Sequence, residues 1–293
     1  MRSRADCRRI SLWPCYLDGN KTQTPVVIQT AETLAQSATA DSMVVYEQPL
    51  AERMRTFLRI DYLYQHLHHH VQHSSSWASR SAVAGILDIV SILTRGDVRS
   101  DVLKELERQI MLLNSYQATE QVDANRLRGV LDNLHSLRSQ LNAVGPQYLQ
   151  GLKESEFLNA IRHRSSIPGG TCAFDLPDYS HWLRQSFERR TRDMQTWLKV
   201  LRPLCDSVSE LLWLLRLSRQ PSNQVAVNGV YQQTLDRKDA IVLLRVSLPS
   251  DSGLYPEISG GHHRFTLRFM EWSAADSRPV QAEREIQFLL ATC

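Results

Sequence analysis

The chain has 293 residues, 42% of them hydrophobic and 22% charged, with a formal net charge of +3. This is apolar material for one large domain or two ordinary ones, and it excludes a disordered or fibrous chain. The small net charge makes no demand for nucleic acid or anionic lipid, and no run of about 18 apolar residues offers a membrane span.

Residues 1–42 show weak periodicity and many Ser, Thr, Gln and Ala. They read as a disordered leader, or as the product of a start codon placed too early, with Met43 as the natural beginning. From residue 49 to about 165 the apolar period is helical. Pro49 suits a first helical turn, and a second helix covers about 80–95 and stops at Gly96. Asp97 caps the next, which runs to about 115 with Val102, Leu103, Leu106, Ile110 and Leu113 on one side. Asp123 caps another, carrying Leu127, Val130, Leu131, Leu134, Leu137 and Leu141. Gly145–Pro146 breaks it, and a further helix ends near Arg164.

Pro168–Gly169–Gly170 forces a turn, and TCAFDL (171–176) reads as a short strand. Helices resume over 179–201 and 203–219, separated at Pro203. After Gln220 the period changes to two. Residues 224–235 and 240–248 look like a hairpin, 264–269 alternates cleanly, and 285–293 is a final strand. The fold class is α+β, mainly an α-helical domain (43–170 and 178–220) followed by a small antiparallel β-sheet domain (171–177 and 221–293).

Nucleotide-binding glycine loops, the nucleophile elbow and the H-E-x-x-H zinc motif are all missing from the sequence. The five cysteines are scattered and contain no C-x-x-C, which fits a reducing compartment rather than a disulfide framework. Cys172 reads as a small buried strand residue rather than a nucleophile. His66, His69, His70 and His73 have a spacing that gathers imidazoles on one helix, where zinc or nickel binds well. No Cys, Asp or Glu joins them in sequence, so a solvated helix end is the reading taken, with no metal and no cofactor. Trp182, Trp197 and Trp213 read as core or interface anchors.

Arginine is the informative residue: only five of the 34 cations are lysine. Guanidinium groups grip carboxylates with two parallel hydrogen bonds. On a helical wheel Arg55, Arg59, Tyr62 and His66 form one stripe, opposite Leu50, Phe57, Ile60, Tyr64 and Val71. Arg55 and Arg59 sit about 6 Å apart at their bases. In RFTLRF the alternation puts Phe265, Leu267 and Phe269 on one face. Arg264, Thr266 and Arg268 lie on the other, the arginines about 13 Å apart. Two elements each present paired arginines. An acidic protein partner is one reading; a nucleic-acid-binding module is the alternative, although no helix-turn-helix, zinc finger or RNP motif accompanies it.

Five blocks carry a resemblance: YEQPLAERMRTFLRIDYL, RGDVRSDVLKELERQ, RHRSSIPGGTCAFDLPDYSHWL, NGVYQQTL and LYPEISGGHHRFTLRFM. In this order they resemble the cell division protein family ZapD, over essentially 43–293. The resemblance implies a cytoplasmic, non-enzymatic division factor. It would bind FtsZ through the short peptide at the FtsZ C-terminus. As a homodimer it would cross-link and bundle FtsZ filaments in the Z-ring at midcell. Nucleic acid and membrane are not among the implied partners. Carried over by motif, the FtsZ contacts are Arg55, Arg59, Arg95, Arg264 and Arg268. Relatives also have basic residues before SIPGG and after FDLP. Here an exact match is absent, and Arg162, Arg164 and His181 stand nearest. Helices 102–113 and 127–141 are the expected dimer surfaces.

Overall fold

The computed structural model describes residues 43–116, 123–236, 241–261 and 263–293. The expectations for 1–42 lie outside them. The first described element is a strand, β1 (Met43–Pro49), where a helix start was expected at Pro49. A residue before proline is pushed toward extended backbone, and proline is tolerated in edge strands, where its missing N–H is not needed. Helix α1 (Glu52–Val71) begins three residues later.

α1 and α2 (Ser76–Thr94) form an antiparallel hairpin, because four residues join two helices that pack along one another. They cross near Gly85, where a β-carbon would stand in ordinary contact, 3.5–3.8 Å, with Leu67, His66 and Leu63. α2 is long and apolar enough to cross a membrane. Its Ala82, Val83, Ile86, Ile89 and Val90 are buried in the helical core, which accounts for that composition. The expected caps are present. Asp97 accepts from the Ser100 amide at the start of α3 (Val98–Ser115), and Asp123 accepts from the Asn125 and Arg126 amides ahead of α4 (Ala124–Ala143). Short helices α5 (Gln150–Lys153), α6 (Glu156–Ser165) and α7 (Pro177–Leu183) follow.

Proline 203 does not divide the last helical region: α8 (Phe187–Leu217) runs straight through it. An interior proline costs about 3 kcal/mol. Against this, Met194, Leu198, Leu201, Leu204, Val208, Leu211 and Leu212 are all buried along one continuous stripe. Burial of even a few such side chains, at about 1.5–3 kcal/mol each, outweighs the break. The real interruption is at Ser186, which caps α8 by accepting from the Arg189 amide. α8 packs against α1, α2, α3 and α4. Buried Arg190 ties its first turn to the α1–α2 connection, donating to the Ser74 and Ser75 carbonyls and the Ser79 hydroxyl.

Two antiparallel sheets complete the fold. One has the order β1–β4–β8–β2, with β2 (Ser222–Ala226), β4 (Leu243–Pro249) and β8 (Ile286–Thr292). The other has the order β3–β6–β5, with β3 (Val230–Thr234), β5 (Leu254–Gly260) and β6 (Arg264–Glu271), and β7 (Val280–Gln281) pairs with β6. Leu244, Val246, Ile286, Phe288 and Leu290 from the first sheet meet Phe265, Leu267 and Phe269 from the second. On its other face the first sheet gives Leu243, Ala291 and Cys293 to the helical core. It is therefore a middle layer, buried on both sides, with the second sheet beyond it.

Two local expectations fail. Residues 171–176 form turns, with the Leu176 amide bonded to the Cys172 carbonyl, and Cys172 is half-buried there. Leu176 goes into the helical core and pairs with no sheet. The segment 224–235 is two strands, and it does not form a hairpin with 240–248. Asn228 and Gly229 (φ 50° and 70°) reverse the chain between β2 and β3. A side chain at 229 would stand 2.1 Å from the Ala282 carbonyl oxygen, so only glycine fits.

Ionic clusters lock the layers. Glu47 on β1 receives Arg216 of α8 at 2.8 and 2.9 Å and Arg245 of β4 at 3.1 Å. Arg216 also reaches Asp61 of α1 at 3.3 Å, and Arg245 donates to the Arg216 carbonyl at 3.0 Å. In α3, Glu105 is 5% exposed at its side chain and holds Arg53 of α1 at 3.0 Å and Arg108 beside it. Burial pushes the Glu105 carboxyl up. Hydrogen bonds from Arg108 and Gln109 and the charges of Arg108 and Arg53 outweigh that and hold it below the ordinary glutamate value.

Removing one partner of a buried ion cluster costs about 3–5 kcal/mol, and less where water reaches it. Glu47→Ala is expected to lower stability by about 2–3 kcal/mol, read as a fall in the urea midpoint. Glu105→Gln is expected to cost a similar amount near neutral pH. Because the folded-state pKa of Glu105 is depressed, its contribution is complete above the unfolded value of about 4.3. It is lost as pH falls through the lower folded value. The stability gap between wild type and Glu105→Gln, measured across a pH series, should therefore begin to narrow near the unfolded value of about 4.3 and close as pH falls through the lower folded value.

Candidate functional site

The eight candidate side chains fall into three groups. The first lies on the α1–α2 hairpin. As the wheel predicts, Leu50, Phe57, Ile60, Tyr64 and Val71 are buried, while Arg59 is exposed and Tyr62 is 69% exposed. Arg55 is half-exposed and bonded to Glu52 at 3.1 Å. His66 departs from the exposed stripe: it is half-buried and packs beside Gly85. From the Gly85 contact with residues 63–67, about ten residues along each antiparallel helix lead to Arg95 on one and Arg55 on the other. Arg95, at the carboxyl end of α2, thus lies level with Arg55. The same end adjoins the sheets, since Leu50 sits in the core between them and its amide donates to Val242 at 2.9 Å.

The second group is on β6. Arg264 and Arg268 are exposed on the face opposite Phe265, Leu267 and Phe269. Pairing registers put Thr234 across from Arg264, and Val230 and Glu257 on either side of Arg268. Arg264 also borders an open hollow with Ser259, Gly260, Gly261 and His263 at the β5–β6 turn. The inner face of this sheet meets the middle layer, so the arginine face points away from the helices. No hydrogen bond or ion pair among the described residues joins this group to Arg55, Arg59 or Arg95.

The third group gathers at the other end of the hairpin. Arg162 and Arg164 are exposed in the last turn of α6, Arg164 lies 3.7 Å from Asp175, and His181 is exposed on α7. A side chain not singled out in the sequence links this region to α2. Arg80 donates to the Thr171 carbonyl at 2.9 Å and stands 5.0 Å from the Tyr179 ring centre and 5.5 Å from that of Trp77. Trp77 opens α2 and Arg95 follows its end, about 27 Å apart at helical rise.

Among the described residues, Arg59, Arg95, Arg162, Arg264 and Arg268 form no ion pair, whereas Arg53, Arg108, Arg216 and Arg245 are fixed in the clusters above. The single strings MRTFLR and RFTLRF do not distinguish a structural from an available arginine; Arg53 and Arg55 differ by two positions and do opposite things.

Of the histidines, His66 and His70 lie with ring centres 4.4 Å apart, and His69 and His73 4.5 Å apart. His70 is held below the ordinary histidine value by burial and by the neighbouring imidazoles. Among the described residues no three His, Cys, Asp or Glu side chains converge on a metal position. Trp182 is buried in an aromatic cluster with Phe157, Tyr179 and half-buried Trp197. The apolar stripes of α3 and α4 face the core of their own chain, with Val102, Leu106, Ile110, Leu127, Leu131, Leu134, Leu137 and Leu141 all buried. Met111, Leu112 and Tyr116 are the large apolar side chains these two helices leave exposed.

Known proteins resemble this chain over most of its length. The family model described as ZapD, cell division protein, matches residues 58–268. A protein of Methylococcus capsulatus named "Cell division protein ZapD" is 36% identical over 252 residues, covering 86% of this chain and 98% of that protein. Proteins of the same name from Chromobacterium violaceum (35% over 251 residues, 86% and 99%) and Yersinia pseudotuberculosis (36% over 252 residues, 86% and 98%) are similarly related.

Proposed function

The chain belongs to the ZapD family of cell division proteins; with a role in cell division as premise, we propose that it acts by binding FtsZ directly. In this reading it grips the acidic C-terminal tail peptide of FtsZ, and as a homodimer it cross-links and bundles FtsZ protofilaments in the cytoplasm, at the Z-ring. It is an adaptor, with no catalytic step.

The observation that carries this reading is the division of the arginines. Arg59, Arg95, Arg162, Arg264 and Arg268 keep exposed guanidinium groups with no ion pair among the described residues. Arg55 and Arg164 sit in exposed pairs of the kind worth about 0–1 kcal/mol, which a ligand carboxylate can exchange for its own. Planar forks suit carboxylates geometrically. Single contacts at such a surface are weak and sensitive to salt. Filaments present long arrays of tails, however, and two sites on one dimer raise the effective affinity by about 10²–10⁴.

Arg264→Ala with Arg268→Ala is expected to weaken co-sedimentation with FtsZ polymers about thirtyfold, from two exposed contacts of about 1 kcal/mol each. The circular dichroism spectrum and the dimer mass should stay unchanged. FtsZ lacking its tail should not be bundled by the wild-type protein. Normal bundling by the double variant would remove β6 from the site, and bundling of tail-less FtsZ would overturn the reading itself.

A further inference from the structure

The carboxyl end of α1 and its first turn beyond carry five histidines in eight residues: His66, His68, His69, His70 and His73. His68 is half-buried, with its ring centre 4.4 Å from that of Tyr64. The other four fall on one helical face. Their ring centres form a chain, His66 to His70 at 4.4 Å, His70 to His69 at 5.1 Å and His69 to His73 at 4.5 Å. Two imidazoles bound to one ion have ring centres roughly 4.5–5 Å apart, given metal–nitrogen bonds of about 2.0–2.1 Å. The His69–His73 pair already stands at that separation. Its i, i+4 spacing is also that of paired zinc ligands on a helix.

A hydrogen bond sets the state of one ring. His73 Nδ1 lies 2.7 Å from the His69 carbonyl oxygen. A carbonyl only accepts, so Nδ1 carries the proton, and in the neutral ring Nε2 keeps its lone pair. An imidazole anchored through one N–H to a backbone carbonyl is the usual condition of a metal-binding histidine, because the anchor fixes tautomer and ring direction together. His66 is less suited: its Nδ1 is buried beside Gly85 without a hydrogen-bond partner.

The backbone under the pair is braced. The His73 amide donates to the His70 carbonyl at 3.2 Å, and Arg190 holds the Ser74 and Ser75 carbonyls just beyond. The location favours a cation, since the carboxyl end of a helix is the negative end of its dipole. Imidazole donors without carboxylates suit zinc, nickel or copper and discriminate against the hard ions magnesium and calcium.

We propose that His69 and His73 chelate one divalent transition-metal ion, with His70 as a third donor within reach and water completing the coordination. The three rings do not converge as they stand, but two suffice for a chelate. His69 and His73 are exposed, so their side chains turn freely toward a shared ion. The site is independent of the FtsZ reading and needs no partner to be tested.

The test uses the full chain, purified without a polyhistidine tag or a metal column and titrated with zinc chloride in a calorimeter. Zinc should bind saturably, and magnesium chloride should give no comparable binding. His69→Gln with His73→Gln should weaken zinc binding at least about tenfold, since losing even an outer contact of a metal ligand costs that much. His135→Gln, at an exposed position on α4, should leave it unchanged. All three side chains are exposed, so unchanged circular dichroism is expected. As a second readout on wild type, zinc should shift the imidazole proton resonances of His69 and His73 and not those of His135. Absence of saturable zinc uptake up to millimolar concentrations would overturn the proposal. So would zinc binding that survives the double variant, because the ion would then sit elsewhere, and so would magnesium binding as strong as that of zinc.

Discussion

The whole arrangement depends on Glu47. One carboxylate at the end of β1 is held by guanidinium groups from α8 and β4, and Asp61 of α1 shares the first of them. Four charges, two of each sign, thus meet where the helical layer touches the middle sheet. The Glu47 side chain is only 19% exposed, so the attraction acts in a medium far less screening than water, and each charge would be costly without its partners. The cluster fixes where α1 starts relative to the sheets. That decides where Arg55 and Arg59, about one and two turns along, are presented. Hydrogen bonds from Tyr64 to Asp206 and from Ser209 to Asp61 then hold α1 along α8.

This constraint explains the abundance of arginine. Structural arginines are needed because a planar fork can serve two acceptors from different layers at once, as Arg216 does for Glu47 and Asp61. A lysine ammonium would satisfy one carboxylate as a point charge and leave the second short. The same property makes the remaining exposed arginines suited to a carboxylate-bearing partner. Composition alone registers both uses as one excess.

The sequence made much of this legible. Period-3.6 stripes located the four long helices of the first half, since each has a clean buried face, and Asp97 and Asp123 marked their starts through cap chemistry that is local. Alternation in RFTLRF gave the inward phenylalanines and outward arginines of β6 correctly. What failed was non-local. Proline 203 looked like a break because its cost is local, whereas the burial that overrides it comes from four other helices. Strand β1 was missed because its partner β4 lies nearly 200 residues away, and β5 because Pro256 disguises a strand whose partner is β6. TCAFDL has strand-like composition but forms turns, and of its six residues only Leu176 enters the helical core. Of the candidate site, the exposure of Arg59, Arg264 and Arg268 was readable from the helix and strand periods, whereas Arg95 and Arg162 came only from the family resemblance. Their grouping was not, because it depends on the hairpin register set at Gly85 and on which sheet faces outward.

That grouping bears on what kind of ligand the surface suits. Arg55, Arg59 and Arg95 at one end of the α1–α2 hairpin and Arg162 and Arg164 at the other are separated by the length of α2, about 27 Å from Trp77 to Arg95. A compact acidic domain would meet one end or the other. An extended peptide advances about 3.3 Å per residue, so some eight residues cover the distance. Contacts spread along such a chain are individually weak, and losing any one costs little. A peptide bound in this way would be held loosely at many points and easily exchanged. If the chain cross-links filaments as proposed, that is a better physical match than a single deep pocket. It also agrees with the open hollow that the described surface offers beside Arg264.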